Sequence, residues 1–248
     1  MSALTLAGTE ARLLTREWAA MVFAFAFPPL FMLVLAGVFG NEDDMGGTGV
    51  SGTDYYIAGY IGIPMGALAL VGLPVMLASY RERDVLRRFE AFGVPTRRVV
   101  VAQALVTAVL IVLAAGLVVA TAAPIYGVPP IEDVPGVVAG FAAGTVTMIT
   151  LGVVLGLAVP TARAAQALGL LVFMPMWLLG GGGPPPEVMS DAMQNISDLL
   201  PLTHATTSIR EAWLSGDPIG GNLAALALWF GIGMVAIAIL LRRRDARA

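Results

Sequence analysis

The sequence has no cysteine and no lysine. The first absence excludes disulfides, thiolate metal sites and thiol catalysis, and leaves the redox compartment unreadable. The second excludes an ordinary phosphate loop. The run Gly180-Gly181-Gly182-Gly183 is rich enough in glycine, but that motif needs a lysine to reach the β- and γ-phosphates. Charge is scarce as well, at 12% of 248 residues against about 25% in soluble domains. A single histidine, His204, cannot make a metal cluster of three or four ligands, so no metal site is expected. The remaining acids lie on separate loops, and no catalytic constellation forms from them.

What the chain has instead is apolar length. Hydrophobic residues make up 58% of it, too many for a surface that faces water. Six segments have the roughly 20 apolar residues that cross a bilayer: 19–39, 55–79, 99–123, 136–159, 164–180 and 221–241. None contains Asp, Glu, Arg or His, and none alternates like a strand, so all are expected to be helices. The fold class is all-α: one polytopic domain over 1–248 with six transmembrane helices, and the first apolar run is read as a retained span. Pro28, Pro29, Pro64 and Pro74 interrupt the first two spans, either as simple kinks or as hinges.

The arginines orient the spans. Thirteen of them (Arg12, Arg16, Arg81, Arg83, Arg87, Arg88, Arg97, Arg98, Arg163, Arg242, Arg243, Arg244 and Arg247) precede span one, follow span six, or fall between spans two and three or four and five. The other three loops hold only Arg210, against eleven acids. The positive-inside rule therefore puts both termini in the cytoplasm of a multi-pass protein of the inner or plasma membrane.

Three segments lie outside the spans. Residues 3–18 place Leu14 and Trp18 on an apolar stripe while Arg12 and Arg16 fall mainly elsewhere, as in a helix lying in the inner membrane interface. The cytoplasmic loop 81–98 reads RERDVLRRFEAFGVPTRR. Its Val85, Leu86, Phe89 and Phe92 share one helical face, Asp84 stands one turn before Arg88, and Gly93 with Pro95 signals the end. Two phenylalanines on a charged cytoplasmic helix must meet lipid or a partner. The outer segment 181–220 carries two apolar stripes, each too short to cross, and reads as a re-entrant helix pair between spans five and six. A lone His204 among threonines there is structural. Asn195-Ile196-Ser197 matches a glycosylation sequon of a kind frequent by chance.

If the chain moves a solute, its energy must come from outside. Ion-coupled carriers place ionisable groups within their spans, and these spans have none. An uncharged interior suits an apolar or amphipathic cargo.

Taken together, the interfacial helix, the Arg81-Glu82-Arg83 to Pro95 loop, the Leu200-Pro201-Leu202-Thr203-His204-Ala205 run with Arg210, and the arginine tail resemble the membrane subunit of an ABC-2 type exporter, most nearly the small permeases of daunorubicin-type drug exporters. The resemblance covers essentially the whole chain. It implies two membrane subunits, by default a homodimer, in the lipid bilayer with two copies of a separate ABC ATPase. That partner binds the ATP and Mg, this chain binds no cofactor, and no nucleic acid is involved. It also implies that the loop helix sits in a groove of the ATPase, a role carried onto Glu82, Arg83, Asp84, Val85, Leu86, Arg87, Arg88, Phe89, Glu90, Phe92 and Gly93, with Phe89 and Phe92 as the plug. The family often shows Glu-Arg-Glu followed by Gly-Thr where this chain has Arg81-Glu82-Arg83-Asp84-Val85. Arg12, Leu14, Arg16 and Trp18 then mark the interfacial helix, and Pro201, Thr203, His204 and Arg210 the outer segment. The competing readings are an ATP-independent channel or scaffold, and a membrane-embedded enzyme acting on lipids through the outer acids, His204 and Arg210.

Overall fold

The computed structural model describes residues 22–47 and 49–245. Every regular element among them is helical. A π-helical turn, Val22–Ala26, leads into α1 (Phe27–Val38). Helix α2 (Gly52–Glu82) is a single rod made of the stretches Gly52–Tyr60, Ile63–Gly66, Ala67–Gly72 and Leu73–Glu82, the third of them π-helical. After the short α3 (Val85–Ala91) come α4 (Thr96–Tyr126), α5 (Val134–Ala158) and α6 (Ala162–Gly182), whose last turn, Leu178–Gly182, is broken by non-helical backbone at Gly180 and Gly181. The short helices α7 (Asp191–Ser197) and α8 (Pro201–Leu214) precede α9 (Gly220–Asp245).

Five of these helices, α2, α4, α5, α6 and α9, are long and apolar enough to cross a membrane. At the first expected span the described residues hold a shorter apolar helix, Ala24–Val38, and residues 19–21 of that span lie outside them, as does the expected interfacial helix 3–18. The prolines of span two do not break it. Pro64 and Pro74 sit in the opening turns of successive stretches of α2, where a missing N–H costs least. The two π-helical turns and the break at the end of α6 each lie within a few residues of a proline, at Pro28, Pro74 and Pro175.

The rod α2 is the axis of the molecule. Its whole apolar stretch is buried, and α1, α4, α5, α6 and α8 pack around it. Glycine makes the fit possible, because close backbone approach is the chief attraction between helices surrounded by lipid tails. A side chain on Gly152 of α5 would strike the Ala69 carbonyl, and one on Gly169 of α6 the Leu70 carbonyl, so the π-helical turn of α2 is gripped from two sides. Farther along α5, a Cβ on Gly136, Gly140 or Gly144 would come within 2.9, 2.6 and 2.7 Å of Ala212, Ser208 and Ala205, all on α8.

The outside is apolar. Val101, Leu105, Val109 and Val112 of α4 and Leu228, Ile232 and Val235 of α9 all face outward. Hydrocarbon is the solvent such a surface requires.

Candidate functional site

The 81–98 loop meets the bundle through its first two residues. Pro160 has no N–H, so the carbonyl of Gly156 loses its helical donor at the end of α5. Arg81 replaces it. Its Nη1 lies 2.6 Å from the Leu157 carbonyl, 2.9 Å from that of Val159 and 3.3 Å from that of Gly156. Next in the chain, Glu82 Oε2 accepts the Ala162 N–H at 3.0 Å, at the first residue of α6. A cation thus meets a helix C-terminus and an anion a helix N-terminus, both in the favourable sense of the helix dipole. Adjacent residues at the end of α2 clamp the elbow between α5 and α6.

Beyond the clamp, Asp84 adopts a left-handed backbone (φ 54°) that turns the chain into α3. No ion pair joins Asp84 to Arg88 among the described residues. The helix ends in a Schellman motif. Gly93 is left-handed (φ 76°), its N–H donates to the Glu90 carbonyl at 2.9 Å, and the Val94 N–H donates to the Phe89 carbonyl at 2.8 Å. Thr96 Oγ1 donates to the Glu90 carboxylate and ties the exit to the helix.

The four apolar residues of α3 do not share one fate. Leu86 is buried, and Val85 and Phe89 pack beside it on Met76, Tyr80 and Val99 of α2 and α4. Phe92 is 85% exposed, flanked by exposed Arg87, Arg88 and Gly93. Phe89 anchors α3 to the bundle, and Phe92 projects from it.

At the other end of α2 segment 181–220 divides. Val188, Met193, Ile196 and Leu199 are exposed, so the first apolar stripe faces outward. The second does not. Helix α8 is buried on almost every side between α2, α5 and α9, including Pro201, Thr203, Thr206, Ser208 and Arg210. Its last carbonyls are met by the loop before α5, where the Asp133 and Glu132 N–H groups donate to Ala212 at 2.9 Å and Trp213 at 3.0 Å. The broken end of α6 is met by hydroxyls. Ser197 donates to the Leu179 carbonyl (2.7 Å), Thr206 to Gly180 (2.6 Å), Tyr60 to Gly182 (2.6 Å) and Tyr56 to Gly183 (3.2 Å). His204 is a strut. Nδ1 lies 2.9 Å from Asn222 Oδ1 and Nε2 2.9 Å from the Asp198 carbonyl, which ties α8 to α9 and to the turn after α7. Arg210 stands over the Tyr55 ring, its guanidinium carbon 4.2 Å from the centroid. No group of three or more His, Cys, Asp and Glu among the described residues could hold a metal ion.

A family model for the ABC-2 type transporter matches residues 2–214, most of the chain. The chain belongs to the ABC-2 type transporter family. ABC-2 permeases are the non-catalytic membrane components of ABC transporters and work with ABC ATPase partners. A curated relative, nodulation protein J of Neorhizobium galegae, is 40% identical over 77 residues, which is 30% of this chain and 29% of that protein. The chain is thus matched to well under a third of that relative's length.

Within this ABC-2 permease, pattern reading missed three groups. Arg81 sits one residue before the expected coupling residues and reads as one more cytoplasmic arginine. Pro160, which strips the α5 terminus of a donor, is the only signal that it would be needed. The tyrosines at 55, 56 and 60 stand in the sequence as ordinary residues of span 55–79, although phenols buried near a span end call for polar partners. Ser197 stands in the sequence as the end of a chance sequon and Thr206 as one of the threonines around His204, and neither pattern points to a carbonyl partner.

Proposed function

We propose that this chain forms the translocation pathway of an ATP-driven exporter for a hydrophobic or amphipathic cargo, with a separate ATPase docked on α3. The proposed assembly has two copies of each subunit in the inner or plasma membrane, with α3 and both termini cytoplasmic and the first apolar run completing a sixth span. ATP and Mg belong to the partner in this reading. The observation that carries it is Phe92, a large apolar side chain left 85% exposed on a helix otherwise fixed to the bundle. A short rigid helix with one projecting aromatic ring and two arginines beside it is suited to a groove in a soluble protein. Force applied to α3 reaches α2 through the turn at Asp84, and reaches α5 and α6 through Arg81 and Glu82. A few kcal/mol of differential binding between two conformations is enough to shift such an equilibrium.

The test separates the two phenylalanines. Phe92→Asp should leave the chain folded in the membrane yet abolish copurification with the ATPase, cargo-stimulated hydrolysis and export. Phe89→Asp should damage folding as well, because it puts a charge into the Met76–Tyr80–Val99 cluster. Normal export by the Phe92→Asp complex would remove the docking assignment.

A further inference from the structure

Arg210 is the only cation in the three acid-rich loops, yet it is 7% exposed, and its Nη1 is buried with no hydrogen-bond partner. At the broken helix end beside it, the carbonyls of Leu179, Gly180, Gly182 and Gly183 each accept from a neutral hydroxyl and not from the guanidinium. What Arg210 has is the face of Tyr55, which compensates a buried cation only in part. Nη1 points beside Gly181, lying 3.5 Å from where a Cβ on that residue would stand, and Gly181 itself has a left-handed backbone (φ 93°). The seam between α8 and the last turn of α6 therefore holds an unmet charge-assisted donor against a backbone with no side chain in the way.

We propose that Arg210 is an anion-recognition site, taking the phosphate or carboxylate of an amphiphile when this seam parts. The planar fork of a guanidinium suits an oxyanion through paired hydrogen bonds. The energetics favour opening on binding, since the closed seam bears an unpaired charge and an entering oxyanion relieves it. A ligand that improves one conformation and not the other shifts the population toward it. The hydroxyl–carbonyl bond that crosses this seam, from Thr206 of α8 to Gly180, is neutral and individually weak, so it yields without breaking a salt bridge. The exporter reading supplies only the source of the amphiphile, and the site can be tested without it.

The experiment uses the whole purified chain in neutral detergent, without any ATPase, so its failure would leave the exporter reading standing. Retention of short-chain phosphatidic acid, short-chain phosphatidylcholine and inorganic phosphate is measured by native mass spectrometry for the wild type, Arg210→Lys and Arg210→Met. Phosphatidic acid should bind the wild type on the order of tenfold more tightly than phosphatidylcholine, whose phosphate is masked by its own cation. Arg210→Lys should keep a preference of only about threefold and Arg210→Met none. Competition by millimolar inorganic phosphate would identify free phosphate as sufficient. Its absence, with phosphatidic acid still preferred, would identify the amphiphile. Arg210→Met should melt at or above the wild-type temperature, because it removes an unpaired buried charge. Equal retention of phosphatidic acid by wild type and Arg210→Met would overturn the site. So would a large drop in melting temperature on that substitution, which would mean that the guanidinium is met in the closed protein.

Discussion

The two ends of α2 handle buried polarity in opposite ways. At the Arg81 end, side-chain charges of both signs are spent on backbone groups, with Arg81 on three carbonyls of α5 and Glu82 on an N–H of α6. At the other end, roughly 30–40 Å away along a rod rising about 1.5 Å per residue, the backbone is met by neutral hydroxyls and the one nearby cation is left over. A charge-assisted bond resists displacement more strongly than a neutral one. The contrast describes a rod clamped by charge at one end and latched by neutral bonds at the other.

The comparison can be broken at its middle. Gly152→Val on α5 would drive a branched side chain into the Ala69 carbonyl, in the π-helical turn that α2 presents there. Neither backbone can retreat, because Gly169 of α6 presses on the next residue, Leu70, from another side. The expected loss is about 3 kcal/mol or more, visible as a collapse in monodisperse yield and melting temperature. A Gly152→Val chain that melts like the wild type would mean that α2 is not gripped as described.

A smaller effect is expected at the clamp. Arg81→Ala releases three carbonyls and costs roughly 2 kcal/mol, reduced from a fully buried value because Arg81 is partly exposed. The diagnostic readout is in the complex with the ATPase. Docking through Phe92 should survive, while hydrolysis should no longer respond to cargo. Loss of docking itself would place Arg81 in the ATPase interface and not in the elbow.

The legible parts of this molecule are those set by one-dimensional pattern. Five of the six expected spans followed from apolar length, and the end of α3 from Gly93. Helices α7 and α8 followed from the two apolar stripes of segment 181–220. The illegible parts depend on who lies opposite. The stripe on α8 looks the same whether it faces lipid or α5, and only the Gly136, Gly140 and Gly144 row on a helix 60 residues earlier decides it, a row lost among the 29 glycines of the chain. Phe89 and Phe92 are equivalent by periodicity. They differ because α3 is too short and too sharply turned at Asp84 to offer a whole face to either side. Arg210 can be singled out as the lone cation of the acid-rich loops, but nothing in its neighbours' identities says that its Nη1 finds no acceptor.

The finest test of the contrast asks whether the spare guanidinium can be put to use. Thr206 Oγ1 donates to the Gly180 carbonyl at 2.6 Å, and Thr206 Oγ1 and Arg210 Nη1 flank the same point beside Gly181, at 3.3 and 3.5 Å. Thr206→Val keeps the shape and removes the donor, which alone should cost about 1 kcal/mol for a buried carbonyl left unmet. With Arg210 in place the cost should be smaller, since an idle donor beside the vacated carbonyl can turn to it. In an Arg210→Met background no such substitute exists, and the full cost should appear. The four proteins of this double-mutant cycle, melted in the same detergent, should therefore show a coupling of several tenths of a kcal/mol. The same Thr206→Val chain should hold phosphatidic acid less well, because its guanidinium now has something to lose on binding. Strict additivity would show that Arg210 is fixed on the Tyr55 ring and unable to reach the seam, and the lightly latched end would then be as rigid as the clamped one.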